Sequence, residues 1–375
     1  MCRCATVNGV MLQHIDWRED ALIVHIPQAK ADQTGEALSK DKHVYANPHK
    51  PEICSVLSLA VYIWCTNREN NIRQQLFFGT AGDSRFSKIL QAVLPLIPEG
   101  TNLGANRKDI GTHSGRKGSS SYVLATPTVF APQVYLRAGW SLGNVQDRYL
   151  FAGSGADQLV GRAVSGLNIH DDEFASLPPH FSPDDLNQLE EIGWGNILQN
   201  YRNYPQGFQR AVPFLLASLV YHYDWLRENL NARHPLWNQP IFTHLKGINN
   251  QATLVQSLRG RVISGKSHCH LTNLRASGIP PHLATANEIR TLNRRIHDFE
   301  ARQDAQLQRR FEEISNTLLG LPNSIKEVIM DNFNVDGVAP IRPEDVRRMI
   351  QESNAQVIDA VSKSGYCPNE SLTML

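Results

Sequence analysis

Residues 111–124 read GTHSGRKGSSSYVL. Gly111 and Thr112 are helix-start residues, and the serine run leads into the apolar Tyr122, Val123 and Leu124, so the stretch predicts the beginning of a helix. His113, Arg116 and Lys117 then fall in its first turns. A helix N-terminus carries roughly half a positive charge and favours acidic company. This one gathers basic residues instead. His113 and Arg116 are three positions apart and share a helix face. Together with Lys117 and the free N–H groups of the first turn they suit a phosphate-like anion. Taken alone the signal is weak, because a solvated helix start carries the same letters.

The surrounding charge supports an anionic partner locally and not globally. The whole chain has a formal net charge of +1 over 375 residues, with 41% hydrophobic and 19% charged residues, as in a globular protein able to bury a core. Residues 1–150 hold 16 Lys and Arg against 12 Asp and Glu, whereas the remainder holds 21 against 24. Residues 101–150 alone carry six basic and two acidic residues, which accounts for the excess. A patch of this kind, more than the total, is what a polyanion meets.

Six cysteines (Cys2, Cys4, Cys54, Cys65, Cys269 and Cys367) are scattered without C-x-x-C spacing, a usage that fits reduced thiols in the cytosol or nucleus. His268-Cys269-His270 could supply two metal ligands, but no second pair has zinc-site spacing, so no metal is expected. No apolar run approaches the roughly 20 residues of a membrane span, and no signal-peptide core follows Met1.

Upstream, residues 20–26 (DALIVHI) predict a strand and residues 42–48 (KHVYANP) its return, giving a small antiparallel sheet joined by the polar turn PQAKADQTGE (27–36). Pro51 opens a long apolar helix, and residues 83–97 have helical spacing. Residues 128–140 predict a helix interrupted at Pro132, and 141–153 end on a Gly stop. Residues 156–182, ending in LPPHFSPDD, predict a linker. Helices are expected again at 183–200, 207–230 and about 285–320. The fold class is therefore mainly α with a small antiparallel β-sheet. Three regions are expected: a domain at 1–155, the linker at 156–182 and a helical C-terminal region at 183–375. In 285–320, Ile289, Leu292, Ile296 and Phe299 alternate by three and four, and the pattern resumes at Leu307, Phe311, Ile314 and Leu318. A strict heptad fails between Phe299 and Leu307. A coiled coil and an amphipathic helix packed on its own domain both fit.

Several further segments stand in order around the quoted stretch. Arg3 opens a short segment leading to LQHIDW; Lys30 sits in the turn after the strand; DQTGE (32–36) and KHVYANPHKPEIC (42–54) precede GTHSGRKG (111–118); Trp140 and Tyr149 follow in RAGWSLGNVQDRY. This ordered set over residues 1–155 resembles the catalytic domain of tyrosine recombinases and phage-type integrases, with wording similar to the recombinases of Crypton-type DNA transposons. The resemblance implies a metal-free and nucleotide-free cleavage and rejoining of double-stranded DNA through a 3′-phosphotyrosyl intermediate, in the nucleus. It implies catalytic roles for Arg3, Lys30, His113, Arg116, Trp140 and Tyr149. Tyr149 is the nucleophile, Arg3 and Arg116 fork onto the non-bridging phosphate oxygens, Lys30 protonates the leaving 5′-oxygen, His113 handles protons, and Trp140 donates its indole N–H. Arg107, Lys108, Lys117, Arg137 and Arg148 are the expected further DNA contacts.

The match has departures. Members carry a helical DNA-clamping domain before the catalytic one, and only two residues precede Arg3 here, so a truncated form is expected. Thr6 stands where many members have an acidic residue. Two other classes compete with the enzyme: a catalytically silent DNA-binding protein of the same descent, and a helical interaction protein with only an architectural likeness. Self-association through the long helices would serve the multimers that recombination requires. No membrane partner is expected.

Overall fold

The computed structural model describes residues 4–26, 41–66, 75–79, 82–140, 154–243, 253–266, 274–320, 322 and 324–325. It divides into two compact units, Met1–Ile289 and Arg290–Leu375.

After the short helix α1 (Cys4–Asn8), the first unit is built around a three-stranded antiparallel sheet in the order β1 (Ile15–Arg18), β2 (Ala21–His25), β3 (Asp41–Val44). Its register pairs Trp17 with Leu22, Leu22 with Val44 and Ile23 with His43. Because side chains alternate along a strand, this register sorts them cleanly onto two faces. Ile15, Trp17 and Leu22 lie on one, and Ala21, Ile23 and Tyr45 on the other. Both are buried, so helices must cover both.

On the Trp17 face sit α2 (Ser55–Cys65) and the long apolar Gln206–Tyr221 helix, and Trp17 stacks on Phe214 with ring centroids 3.9 Å apart. A short 3-10 turn at Pro51–Ile53 precedes α2, whose N-cap Cys54 accepts a hydrogen bond from Leu57 N–H through Sγ. The opposite face is covered by three helices that follow α3 (Gly82–Val93) in the chain: Val123 of α4 (Thr112–Leu124), Val134 of α5 (Ala131–Ala138) and Leu159, Val160 and Ala163 of α6 (Ser154–Val164) join Ile23 and Tyr45 in one core. Gly161 allows α6 to lie this close. A Cβ at that position would meet the backbone oxygen of His43 at 2.6 Å.

Three sequence expectations need correction. Residues 156–182 are no linker: they contain α6 and the fully buried strand β4 (Ser176–His180), which pairs antiparallel with β5 (Ile263–Lys266). Apolar Leu159, Val160, Ala163, Leu167, Phe174 and Leu177 were hidden among the Gly, Ser, Asp and Pro that suggested a connector. The boundary at 155 also falls, because Gln206–Tyr221 completes the core begun by β1. Buried Arg162 adds a second tie across it. Its guanidinium pairs with Asp20, donates to the carbonyls of Phe174 (2.9 Å) and Ser277 (2.5 Å), and lies over the Tyr45 ring. Finally, Pro132 does not interrupt a helix. It occupies the first turn of α5, where its missing N–H costs nothing.

After α7 (Pro183–Ile192), the predicted 207–230 helix is two pieces, α8 (Gln206–Tyr221) and α9 (Tyr223–Asn229), broken at His222. The last described helix, α10, runs 40 residues from Pro281 to Gly320. Among the described residues no helix is long and apolar enough to cross a membrane.

Candidate functional site

The site is organised by the N-terminus of α4. Gly111, in an extended conformation, is its N-cap, and the Gly111 N–H donates to Ser114 Oγ at 3.0 Å. No acidic residue stands in the first turn. His113 and Lys117 are exposed, and Arg116 is half-buried. The helix terminus therefore carries two exposed basic side chains, His113 and Lys117, and a third, Arg116, that is partly covered.

A second segment meets Arg116 from downstream. Helix α5 ends on Gly139, which takes the left-handed conformation at φ 66° that a Cβ would disfavour and turns the chain so that Trp140 N–H reaches the Tyr135 carbonyl at 2.8 Å. There Arg116 Nη2 donates to the Ala138 carbonyl at 2.6 Å, and its guanidinium carbon lies 5.3 Å from the Trp140 ring centroid. The Trp140 ring also sits edge-on to Tyr135, with centroids 5.4 Å apart. Arg116 is thus held between the C-terminal end of α5, where carbonyl dipoles favour a cation, and an indole face.

Of the six residues expected to act in catalysis, the described structure contains His113, Arg116 and Trp140; Arg3, Lys30 and Tyr149 lie outside the described residues. Of the expected DNA contacts, Lys108 and Lys117 are exposed, and Arg148 lies outside the described residues. Arg107 turns inward, with Nη2 donating to the carbonyls of Ile97 (2.5 Å) and Pro98 (2.7 Å).

Arg137 is a correction. It is buried, with Nη1 2.7 Å from Asp157 Oδ2 and Nη2 donating to the His43 carbonyl at 2.8 Å. Asp157 Oδ2 also accepts from the His43 backbone N–H at 2.8 Å and lies 2.9 Å from His43 Nδ1. Burial pushes the Asp157 carboxyl up, but the charge of Arg137, the hydrogen bonds from His43 and the charge of Lys42 outweigh it and hold the group well below the usual carboxylate value. Arg137 accordingly fastens α5 to β3 and α6 and is unavailable to DNA. Sequence reading missed Asp157 and His43, 114 positions apart in the chain. Nothing local in either segment announces the pairing.

The His268-Cys269-His270 stretch lies outside the described residues, and among the described ones no group of three or more His, Cys, Asp or Glu side chains is placed to hold a metal. Chemically, the described part of the site offers a positively polarised helix terminus, an imidazole, a guanidinium and exposed lysines around an open surface, with an aromatic wall. No known protein family, curated protein or solved structure matches the chain.

Proposed function

We propose that the protein breaks and rejoins double-stranded DNA as a tyrosine recombinase related to those of Crypton-type transposons. The observation that supports this reading most is the meeting of Arg116 with Trp140: two residues the resemblance assigns to one phosphate come from separate segments and lie in contact. Helices α5 and α6, which precede and follow the Tyr149 segment in the chain, both pack against α4 and are joined to each other by the Arg137–Asp157 pair.

In this reading the Tyr149 phenolic oxygen attacks phosphorus as its proton passes to His113. The bond to the 5′-oxygen breaks, Lys30 protonates that oxygen, and a 3′-phosphotyrosyl ester forms. Arg3 and Arg116 neutralise the charge that builds on the non-bridging oxygens, and Trp140 adds a hydrogen bond. Religation is the reverse, so no nucleotide is consumed. Lys108 and Lys117 supply sequence-independent attraction to neighbouring phosphates, and the reading carries a nuclear location with it.

A second reading, a DNA-binding protein without cleavage activity, is favoured by one observation. Arg116 is already engaged by the Ala138 carbonyl and by Trp140, as a purely structural arginine would be. Arg116→Lys separates the two, with nicked duplexes from the DNA flanking the coding sequence as probe. A lysine keeps the charge and loses the two-oxygen fork. The enzyme reading expects strand cleavage to fall by about 100-fold or more while anisotropy reports nearly unchanged binding. Equal cleavage by the variant would remove Arg116 from the phosphate, and binding without cleavage in both proteins would select the silent reading.

A further inference from the structure

We infer that α10 is the dimerisation element of this protein and that two copies pair along it in parallel and in register. The helix presents Ile289, Leu292, Ile296, Phe299, Leu307, Phe311 and Ile314 to solvent, each between 44% and 60% exposed. Successive steps of three or four residues, with Gln303 filling the place between Phe299 and Leu307, put these side chains on one line. The line advances at about one turn per step, close to the 3.6-residue period of a straight helix, and runs for about 38 Å. Single exposed apolar residues are ordinary, but an apolar line of this length on a soluble helix marks an interaction surface.

The residue types select the partner. With Ile289 and Ile296 at the a positions of a heptad, Leu292 and Phe299 fall at d. β-Branched residues at a with Leu at d favour two parallel strands, because their side chains point differently into the facing helix at the two layers. Gln303 falls at the next a position. A lone polar residue there is best satisfied opposite its own copy, which fixes register and discourages larger bundles. The heptad then skips one residue and resumes at Leu307, and in a parallel pair both copies skip at the same height.

Charge gives the same answer independently. Arg295 occupies the g position before Ile296, and Glu300 occupies the e position after Phe299. In a parallel pair each Arg295 faces Glu300 of the other copy, five positions on, so the dimer has two such ion pairs. Within one helix, residues five apart do not face each other. Glu300 Oε2 is 3.4 Å from His297 Nδ1 in its own helix and remains largely exposed. An antiparallel pair centred on Gln303 would instead set Arg295 level with Phe311. Covering half of seven large side chains on each copy buries on the order of 1,000 Å² in all, the size at which specific interfaces begin.

The test uses the full chain, its mass followed by light scattering and sedimentation across concentration. The wild type is expected to run as a dimer, and Ile296→Asp as a monomer of unchanged helical content. Arg295→Glu sets like charges against Glu300 and is expected to weaken the dimer about tenfold. Adding Glu300→Arg to it reverses both partners and should restore the affinity to within about threefold. A monomeric wild type at tens of micromolar, whether the apolar line is bare or covered from within its own chain, would overturn the inference. So would failure of the double charge reversal to rescue, since an antiparallel pair gives no reason for it.

Discussion

Arg116 and Arg137 belong to the same basic stretch of sequence, yet they face opposite fates. Arg116 stays at the surface of α4 against Trp140, whereas Arg137 is drawn inside by Asp157 and His43. The helix start at Gly111 and Thr112 was legible because capping is local chemistry, read from adjacent residues. The burial of Arg137 was not, because its partners arrive from β3 and α6. Asp157 is the residue on which this junction rests. Its replacement in Asp157→Ala leaves the Arg137 guanidinium buried without its counter-charge, which is expected to cost about 3–5 kcal/mol. Urea unfolding monitored by tryptophan fluorescence measures it. A loss below about 1 kcal/mol would mean that the pair does not hold α5 in place.

Among the elements, long apolar helices and the β2–β3 hairpin declared themselves through period and turn residues. The elements that did not are those whose letters serve two purposes. Residues 156–182 look like a connector because Gly161 must be small to approach His43, and because Pro178 and Pro179 sit in a short two-stranded sheet. The break between α8 and α9, by contrast, carries no Gly or Pro. It falls at His222, whose buried ring has no hydrogen-bond partner at Nε2 among the described residues. Burial lowers the His222 pKa from 6.5 to about 4. Between those values the unfolded chain takes up a proton that the folded protein refuses, so stability contributed by the neutral ring is lost as pH falls from about 6.5 to about 4, at up to about 1.4 kcal/mol per pH unit. Unfolding free energies at pH 7 and pH 5 should differ more for the wild type than for His222→Leu. Identical pH dependence in the two proteins would contradict the buried neutral imidazole.

Taken whole, the first unit has two hydrophobic cores, one on each face of a small sheet, with α8 supplying the side that faces Trp17. The Gly-, Ser-, Asp- and Pro-rich run and the extent of the resemblance suggested a division near residue 155, which the packing does not follow. The mainly helical class with a small antiparallel sheet was legible from periodicity. Which distant helix would cover which face was not, because any amphipathic helix of suitable length satisfies the same pattern. The catalytic proposal inherits this architecture, since the sheet and α4 to α6 together frame the surface on which His113, Arg116 and Trp140 stand.

That proposal is tested most directly by trapping its intermediate. The full chain is incubated with nicked duplexes from the DNA flanking its coding sequence, designed so that a short leaving fragment diffuses away after cleavage, and the products are denatured and digested for mass spectrometry. A covalent adduct should form, carry its nucleotide on the peptide containing Tyr149, and disappear in Tyr149→Phe. An adduct on any other residue, or none from a protein that binds the same duplex, would contradict the account.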